Sequence, residues 1–589
     1  MRERTRSLSS KALVLLLMFA SGCVALVLQV TWMRELRLVF GATTASVAAV
    51  LAIFMGGIGA GSAFFGKRAD ASANPLRMYG LLEVAIAVTA IVSPWLIQMG
   101  SALYYCLGGQ ESLGVVSATI VRLLLAIVVM AIPTFLMGGT LPAAVRFATQ
   151  SDDKQRAMLG LLYGSNTLGA VFGVAITTGY SLEILGTRAT IWAGCVVGSC
   201  AGIVAIVFAR YLPPPKEAAD RSTPPKTSTS DAAVQSCDES PHELSISHAL
   251  IYFAAAVLGG TFFALELVWY RMLGPILGGT AFTFGLILCV VLFGIGLGSI
   301  AYNFLFRRIQ PSWSALSIVC GAEAAVAIVP YMVGDRIAFL AAWYTPTGVD
   351  FAARAMGWLF VASLVVLPVA LVSGVQFPLL VAMLGQGREQ VSSHVGRVYA
   401  WNTLGAIVGS LFAGFGGLPL LSAPGMWLGI AVLLSALSFV LLLRAPHITV
   451  KTIVPVTALA LVTVNAIFMQ GPTAAWRRGA SGLGALTSQQ LSQPNTVEAS
   501  LREIRHGTIL ETDGIESSVQ LANVNGLAFF VGGKCDGNAL TDSATQVGMA
   551  ILGAVLHDHP KTALVIGLGT GESAGWLAEM PGIEHVDVV

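Results

Sequence analysis

SGCVALVLQVTWMRELRLVFGATTASVAAVLAIFMGGIGAGS at 21–62 recurs 237 residues later as GTFFALELVWYRMLGPILGGTAFTFGLILCVVLFGIGLGS at 260–299. Trp32 pairs with Trp269, Arg34 with Arg271, Gly41 with Gly278 and Thr43 with Thr280. Gly57, Gly59, Gly61 and Ser62 pair with Gly294, Gly296, Gly298 and Ser299. A second block recurs at a shift of 236: Gly138 and Pro142 match Gly374 and Pro378, and GLLYGSNTLGA at 160–170 matches GRVYAWNTLGA at 396–406. The chain is an internal duplication, and the fold has to be read from what each copy contains.

Each copy is built for lipid. The 589 residues are 55% apolar and 11% charged, against roughly 25% charged in an ordinary soluble domain. A hydrocarbon core of about 30 Å takes about 20 apolar helical residues to cross, because each backbone N–H and C=O must be satisfied within the helix. Spans are predicted near 12–30, 43–65, 77–98, 116–141, 158–180 and 189–210, then 248–268, 280–305, 313–333, 355–382, 395–416, 424–443 and 452–469. The first follows the basic stretch MRERTRSLSSK and reads as a retained anchor, because no small-residue cleavage site follows it.

Thirteen spans place GKRAD at 66–70, RFATQSDDKQR at 146–156, the 211–247 linker, Arg307-Arg308, the 388–397 loop and Arg444 to Lys451 on one side with the N-terminus. Basic loops stay cytoplasmic, so an inner or plasma membrane protein is expected, with everything after residue 470 outside. The net charge of +2 argues against a nucleic-acid partner. Cys23, Cys195, Cys200, Cys289 and Cys320 lie in apolar spans without ligand-like spacing, which suits small core residues. No metal site is expected, since His557 and His559 have no third ligand.

Six spans per copy is an even number, so both copies enter the membrane in the same sense, as the halves of major-facilitator transporters do. The expected organisation is a first repeat at 1–210, a cytoplasmic linker at 211–247, a second repeat at 248–443, a thirteenth span within 444–470 and a tail at 471–589. The runs MGGIGAGS and FGIGLGS put small residues on helix faces where backbones approach closely. GKRAD resembles, in part, the loop motif of that family.

Polar residues inside such spans cost at least about 2.5 kcal/mol each and face the protein interior. Glu83 and Glu323 sit at similar places in the third span of each repeat, Glu266 stands where the first copy has Gln29, Arg122 and Arg354 open the fourth spans, and Asn166 and Asn402 carry the repeated NTLGA. They read either as a polar pathway for a cation or proton, or as Glu–Arg pairs and helix-to-helix hydrogen bonds. Arg34 and Arg271, each just after a Trp, are expected to snorkel to headgroups.

In the tail, ILETDGIESSVQLANVNGLAFFVGGK suggests a β-meander with turns at Asp513-Gly514 and Asn525-Gly526. DSATQVGMAILGAVLH at 542–557 suggests a helix, and TALVIGLGTG a strand entering a glycine turn before a helix and the strand VDVV. Gly567, Gly569 and Gly571 would let a ligand approach the backbone and leave N–H groups at the next helix.

SGCVALVLQVTWMREL and its repeat, LMGGTLP, YGSNTLGA, YAWNTLGA, FFVGGKCDGNALTDSATQ and HPKTALVIGLGTG together resemble the membrane-embedded spermidine synthase-like family, a major-facilitator-like bundle fused to an aminopropyltransferase-type domain. The resemblance implies a hairpin layer and a Rossmann-like sheet that binds decarboxylated S-adenosylmethionine, or an S-adenosylmethionine-like ligand, for transfer of its aminopropyl group to a polyamine. Gly567, Gly569 and Gly571 would hold the nucleoside, with Asp542 and Gln546 near the site entrance. The acid that holds the ribose and the catalytic Asp would follow Val589, so the α/β domain reads as truncated and its active site as incomplete. The second reading is a major-facilitator-like transporter of a small solute, cationic or amphipathic, with a non-catalytic nucleoside-sensing tail.

Overall fold

A computed structural model of the chain describes residues 2–40, 44–149, 153, 155–211, 241–278, 281–306, 309–344, 350–446, 448–469, 471–473, 475–478 and 494–589. The first repeat contains α1 (Arg2–Phe40), α2 (Thr44–Ala71), α3 (Pro75–Ile91), α4 (Ser93–Cys106), α5 (Gly109–Met137), α6 (Thr140–Ala148), α7 (Ala157–Ile176), α8 (Leu182–Ile184) and α9 (Gly186–Tyr211). The second contains α10 (Pro241–Ile276), α11 (Ala281–Leu305), α12 (Trp313–Val333), α13 (Arg336–Tyr344), α14 (Phe351–Met383), α15 (Val391–Phe412) and α16 (Leu418–Leu442), and α17 (Val450–Ile467) follows it. Most of the expected 211–247 linker lies outside the described residues, and α10 begins earlier than that boundary, at Pro241.

Among the described residues, twelve helical segments are long and apolar enough to cross a membrane. One of them, Val391–Leu442, has 52 residues, about 78 Å of helix at 1.5 Å per residue and more than twice a hydrocarbon core. It breaks at Ser422 and turns back, bringing Ser438 beside Ser317 at 2.6 Å near the start of α12. The two crossings expected at 395–416 and 424–443 fall within this one interrupted helix.

The duplication is visible in the packing. α1 packs on α7 and α9 as α10 packs on α15 and α16, and α3 packs on α9 as α12 packs on α16. A five-residue π-helical turn follows α7 at Thr177–Ser181 and α15 at Ala413–Gly417. Between the repeats, α2 packs on α15 and α7 on α11, two contacts exchanged by the same pseudo-twofold. The close approach there needs glycine: a Cβ at Gly160 would lie 2.6 Å from Ser299 O, and one at its mate Gly396 2.3 Å from Ser62 O. Backbones that touch this closely associate through dispersion and weak polar contacts where lipid supplies no hydrophobic force.

Capping side chains start several helices. Asn74 accepts from Arg77 N ahead of Pro75, Ser312 from Ala315 N, and Asp350 from Ala353 N, so each removes an orphan N–H at a membrane boundary.

The tail forms the expected meander, β1 (Thr508–Asp513), β2 (Ser518–Asn523), β3 (Leu527–Val531) and β4 (Lys534–Asn538), all antiparallel in that order. Asn525 and Gly526 take φ of 51° and 109° at the β2–β3 turn, as a tight hairpin requires. A helix at Pro494–Gly507, absent from the sequence reading, precedes β1. β5 (Thr562–Val565) and β6 (His585–Val588) pair in parallel around the helix Glu572–Ala578. This small sheet region is a β–α–β unit rather than a doubly wound sheet. The buried cluster within the hairpin layer is only Ala522, Ala528 and Phe530, so the tail owes its placement to contacts with the bundle.

Candidate functional site

Glu266 lies on α10 in a membrane-crossing segment and is 9% exposed. Its carboxylate has no hydrogen-bond or ion-pair partner among the described residues. Its first-repeat mate, Gln29, is equally buried but carries no charge. One turn further along α10, Trp269 is fully buried with an unpartnered indole N–H, whereas its mate Trp32 donates to Ser93 Oγ at 2.8 Å. The repeats therefore differ in charge and in hydrogen bonding around Glu266.

Glu83 and Glu323 are both 1% exposed, yet they are not structural equivalents. The caps Asn74 and Ser312 set the register of α3 and α12, and on that register Glu323 matches Ala85 while Glu83 matches Gly321. Two residues are about 200° around a helix, so the carboxylates leave on nearly opposite faces. Glu83 meets Ser21 of α1 and Tyr79 and lies against Gly202 of α9; its Oε1 has no partner. Glu323 accepts from Ser373 Oγ and, at 2.6 Å, from Gln376 Nε2, both on α14. The partners of Glu83 lie on α1, α3 and α9 and those of Glu323 on α14.

The expected Glu–Arg pairs do not form either. No ion pair among the described residues joins Arg122 or Arg354 to Glu83, Glu266 or Glu323. Arg122 instead sits over the Tyr104 ring at 5.1 Å, and Arg354 is half-buried in the first turn of α14. Asn166 and Asn402 make matching helix-to-helix hydrogen bonds. Asn166 Nδ2 donates to Met18 O and Asn402 Nδ2 to Ala255 O, each at 3.1 Å, over Gly22 and Gly259, where a Cβ would lie 1.8 and 2.1 Å from the asparagine carbonyl. The NTLGA repeat is a tight helix crossing made twice.

At the end of the bundle that carries the basic loops, the repeats are tied together by groups the sequence reading passed over. Arg156, fully buried between α6 and α7, donates to Val381 O (2.8 Å), Gly387 O (3.1 Å) and Glu389 O (2.7 Å), and contacts His394 Nδ1 at 3.0 Å. Burial lowers its pKa to about 10, with Asp70 and Glu389 acting the other way, so the fork stays charged at neutral pH. Asp70, from GKRAD on α2, accepts from Ser392 N (3.1 Å) and Ser393 N (2.8 Å) and so caps α15 across the repeat boundary. In the first repeat the same work is done locally, by Asp153 on Ala157 N and Met158 N. Just inside, Tyr163 of α7 lies 4.7 Å from Phe377, itself 5.7 Å from Tyr399. The sequence signal for this latch was the acidic residues embedded in basic loops.

At the opposite end the tail docks on the second repeat. Arg271 does not reach for headgroups: it is 7% exposed and donates to Gly514 O (3.0 Å) and Ile515 O (2.8 Å) in the β1–β2 turn. Its mate Arg34 is exposed. Asp335 accepts from Thr473 N and Arg505 Nη2, and Trp476 Nε1 donates to Gly334 O at 2.9 Å.

The glycine loop has the expected backbone, with φ of 86°, 55° and 79° at Gly567, Gly569 and Gly571. Its N–H groups are partly used: Gly567 N donates to Val589 O and Gly571 N to Leu568 O, and Glu572 puts an acid in the first turn of the following helix, where a phosphate would be repelled. Gln546 braces the loop, accepting from Thr570 Oγ1 through its side chain and from Ser573 Oγ through its carbonyl. Asp542 stands at the N-cap of Ser543–Val555 without a side-chain capping bond.

No protein-family model and no curated protein matches the chain. Solved structures similar to it include the human organic anion transporter MFSD10 (TETRAN), 12% identical with a TM-score of 0.43 over 73% of this chain and 99% of that one. Another is the major-facilitator proton:xylose symporter XylE bound to 6-bromo-6-deoxy-D-glucose, 12% identical with a TM-score of 0.42 over 77% and 99%. The aminopropyl-transfer reading is corrected accordingly: the two structures named are transporters, and nothing found supports a fusion to a spermidine synthase-like enzyme. The chain is a polytopic α-helical membrane protein, a duplicated helix bundle with a small C-terminal sheet region.

Proposed function

We propose that the bundle moves a small solute across the bilayer by rocking its two repeats about the α2–α15 and α7–α11 seams, and that Glu266 engages a cation on the way. The observation that carries this reading is a buried carboxylate inside a membrane-crossing helix with no partner among the described residues. Such a group costs several kcal/mol unless it is neutralised, and a bound cation or proton does that. The glycine-lined seams and the Arg156 and Asp70 ties, confined to the basic end, suit a bundle closed at that end. On this reading the two repeats are 1–210 and 248–443, the second opening within a helix that starts at Pro241.

The basic loops place that end in the cytoplasm and the docked tail outside. A reporter fused after residue 470 that reads cytoplasmic would reverse this orientation.

For transport, full-length protein in vesicles is given labelled putrescine and other small organic cations at inward and outward gradients. Glu266→Gln should abolish uptake that Glu83→Gln and Glu323→Gln preserve at half or more. Equal uptake by wild type and Glu266→Gln would remove the residue, and with it the cation reading.

A further inference from the structure

Ser422 has φ 60° and ψ 167°, a backbone region occupied almost only by glycine. Its mate 236 residues earlier is Gly186, with φ 71°, which opens α9 as Ser422 precedes the long arm of α16. Both repeats need this bend after the π-helical turn, but only the first has the residue that makes it without strain.

The second repeat has the tail instead. The next N–H, at Ala423, donates to Asp513 Oδ2 at 2.7 Å. Asp513 is 3% exposed, accepts from Ser518 Oγ on Oδ1 at 2.5 Å, and pairs through Oδ2 with Arg477 Nη2 at 2.8 Å. The adjoining turn is gripped by Arg271, and a Cβ at Gly533 would lie 2.4 Å from Pro275 Cβ. Asp513 thus acts as a cap, supplied from another domain, on a helix whose first residue is strained.

We propose that the tail is a brace for the second repeat: docked Asp513 holds Ser422 in its glycine-like conformation, and undocking lets α16 re-aim. Any event that lifts the β1–β2 turn is thereby transmitted to α10 through Arg271 and to α16 through Ala423. The tail then controls the bundle by position, with no chemistry of its own required. This holds whether or not Glu266 binds a cation.

Hydrogen exchange of the full chain in lipid nanodiscs tests it. Asp513→Ala should speed exchange about ten-fold or more, the loss expected for one charge-assisted hydrogen bond, and the effect should spread over 418–430. In a Ser422→Gly background, the same substitution should affect only the Ala423 amide within 418–430, because glycine keeps the bend unaided. A spread of equal size in both backgrounds, or no change in either, overturns the proposal. Should Asp513→Ala fail to fold, Arg271→Gln serves: exchange at 510–516 and at 418–430 should rise together, and a rise in the first alone overturns the coupling.

Discussion

Arg156 of the first repeat lies with its Nη1 3.0 Å from His394 Nδ1 of the second, and the same guanidinium holds three backbone carbonyls of the 381–389 segment. A planar fork with several fixed donors suits this task, and an ammonium does not. Arg156→Ala should lower stability by at least about 3 kcal/mol, as two or more bonds to a charged group are lost. Arg156→Lys should recover less than half. Thermal unfolding in nanodiscs measures both, and a lysine variant as stable as wild type would refute the fork.

Asp70 and Asp153 offer a matched comparison, since each caps the helix after a basic loop but only Asp70 does so across the repeats. Alanine at either position should cost about 1 kcal/mol. Only Asp70→Ala should also raise labelling of a cysteine placed at Gly385. Equal labelling of the two variants would show that the cap does not hold the repeats together.

Asn166 and Asn402 should behave as packing residues. Leucine at either site should cost about 0.6 to 2 kcal/mol and leave at least half of any uptake intact. Gly22→Ala and Gly259→Ala should cost more, because the added Cβ would overlap the asparagine carbonyl. Uptake lost in an asparagine variant whose melting is unchanged would return these residues to the transport path.

Gln546→Ala should loosen the glycine loop by about 1 kcal/mol, seen as faster exchange at 567–573 with no change in the bundle. Exchange that stays at the wild-type rate would show that the Thr570 and Ser573 contacts do not hold the loop.

Glu83 and Glu323 show where pattern reading misleads. Both were legible as intramembrane carboxylates in third spans, and both are buried. An offset of three or four residues from the repeat spacing was legible too, but the two-residue value required the caps Asn74 and Ser312 to fix the register. Arg34 and Arg271 are the same case: equivalent in sequence, and separated in role only because the tail reaches one of them.

By itself the sequence determined the membrane class, the duplication and the close-packed glycine runs, because hydropathy, repeat spacing and small-residue runs act locally along a helix. Only the tertiary structure decided which polar groups meet. Arg156 and His394, Asp70 and Ser392, Asp513 and Ala423 are far apart in the chain and carry no shared pattern. Their pairing comes from helices packed at fixed register, where a buried donor or acceptor takes whichever partner the fold brings within about 3 Å.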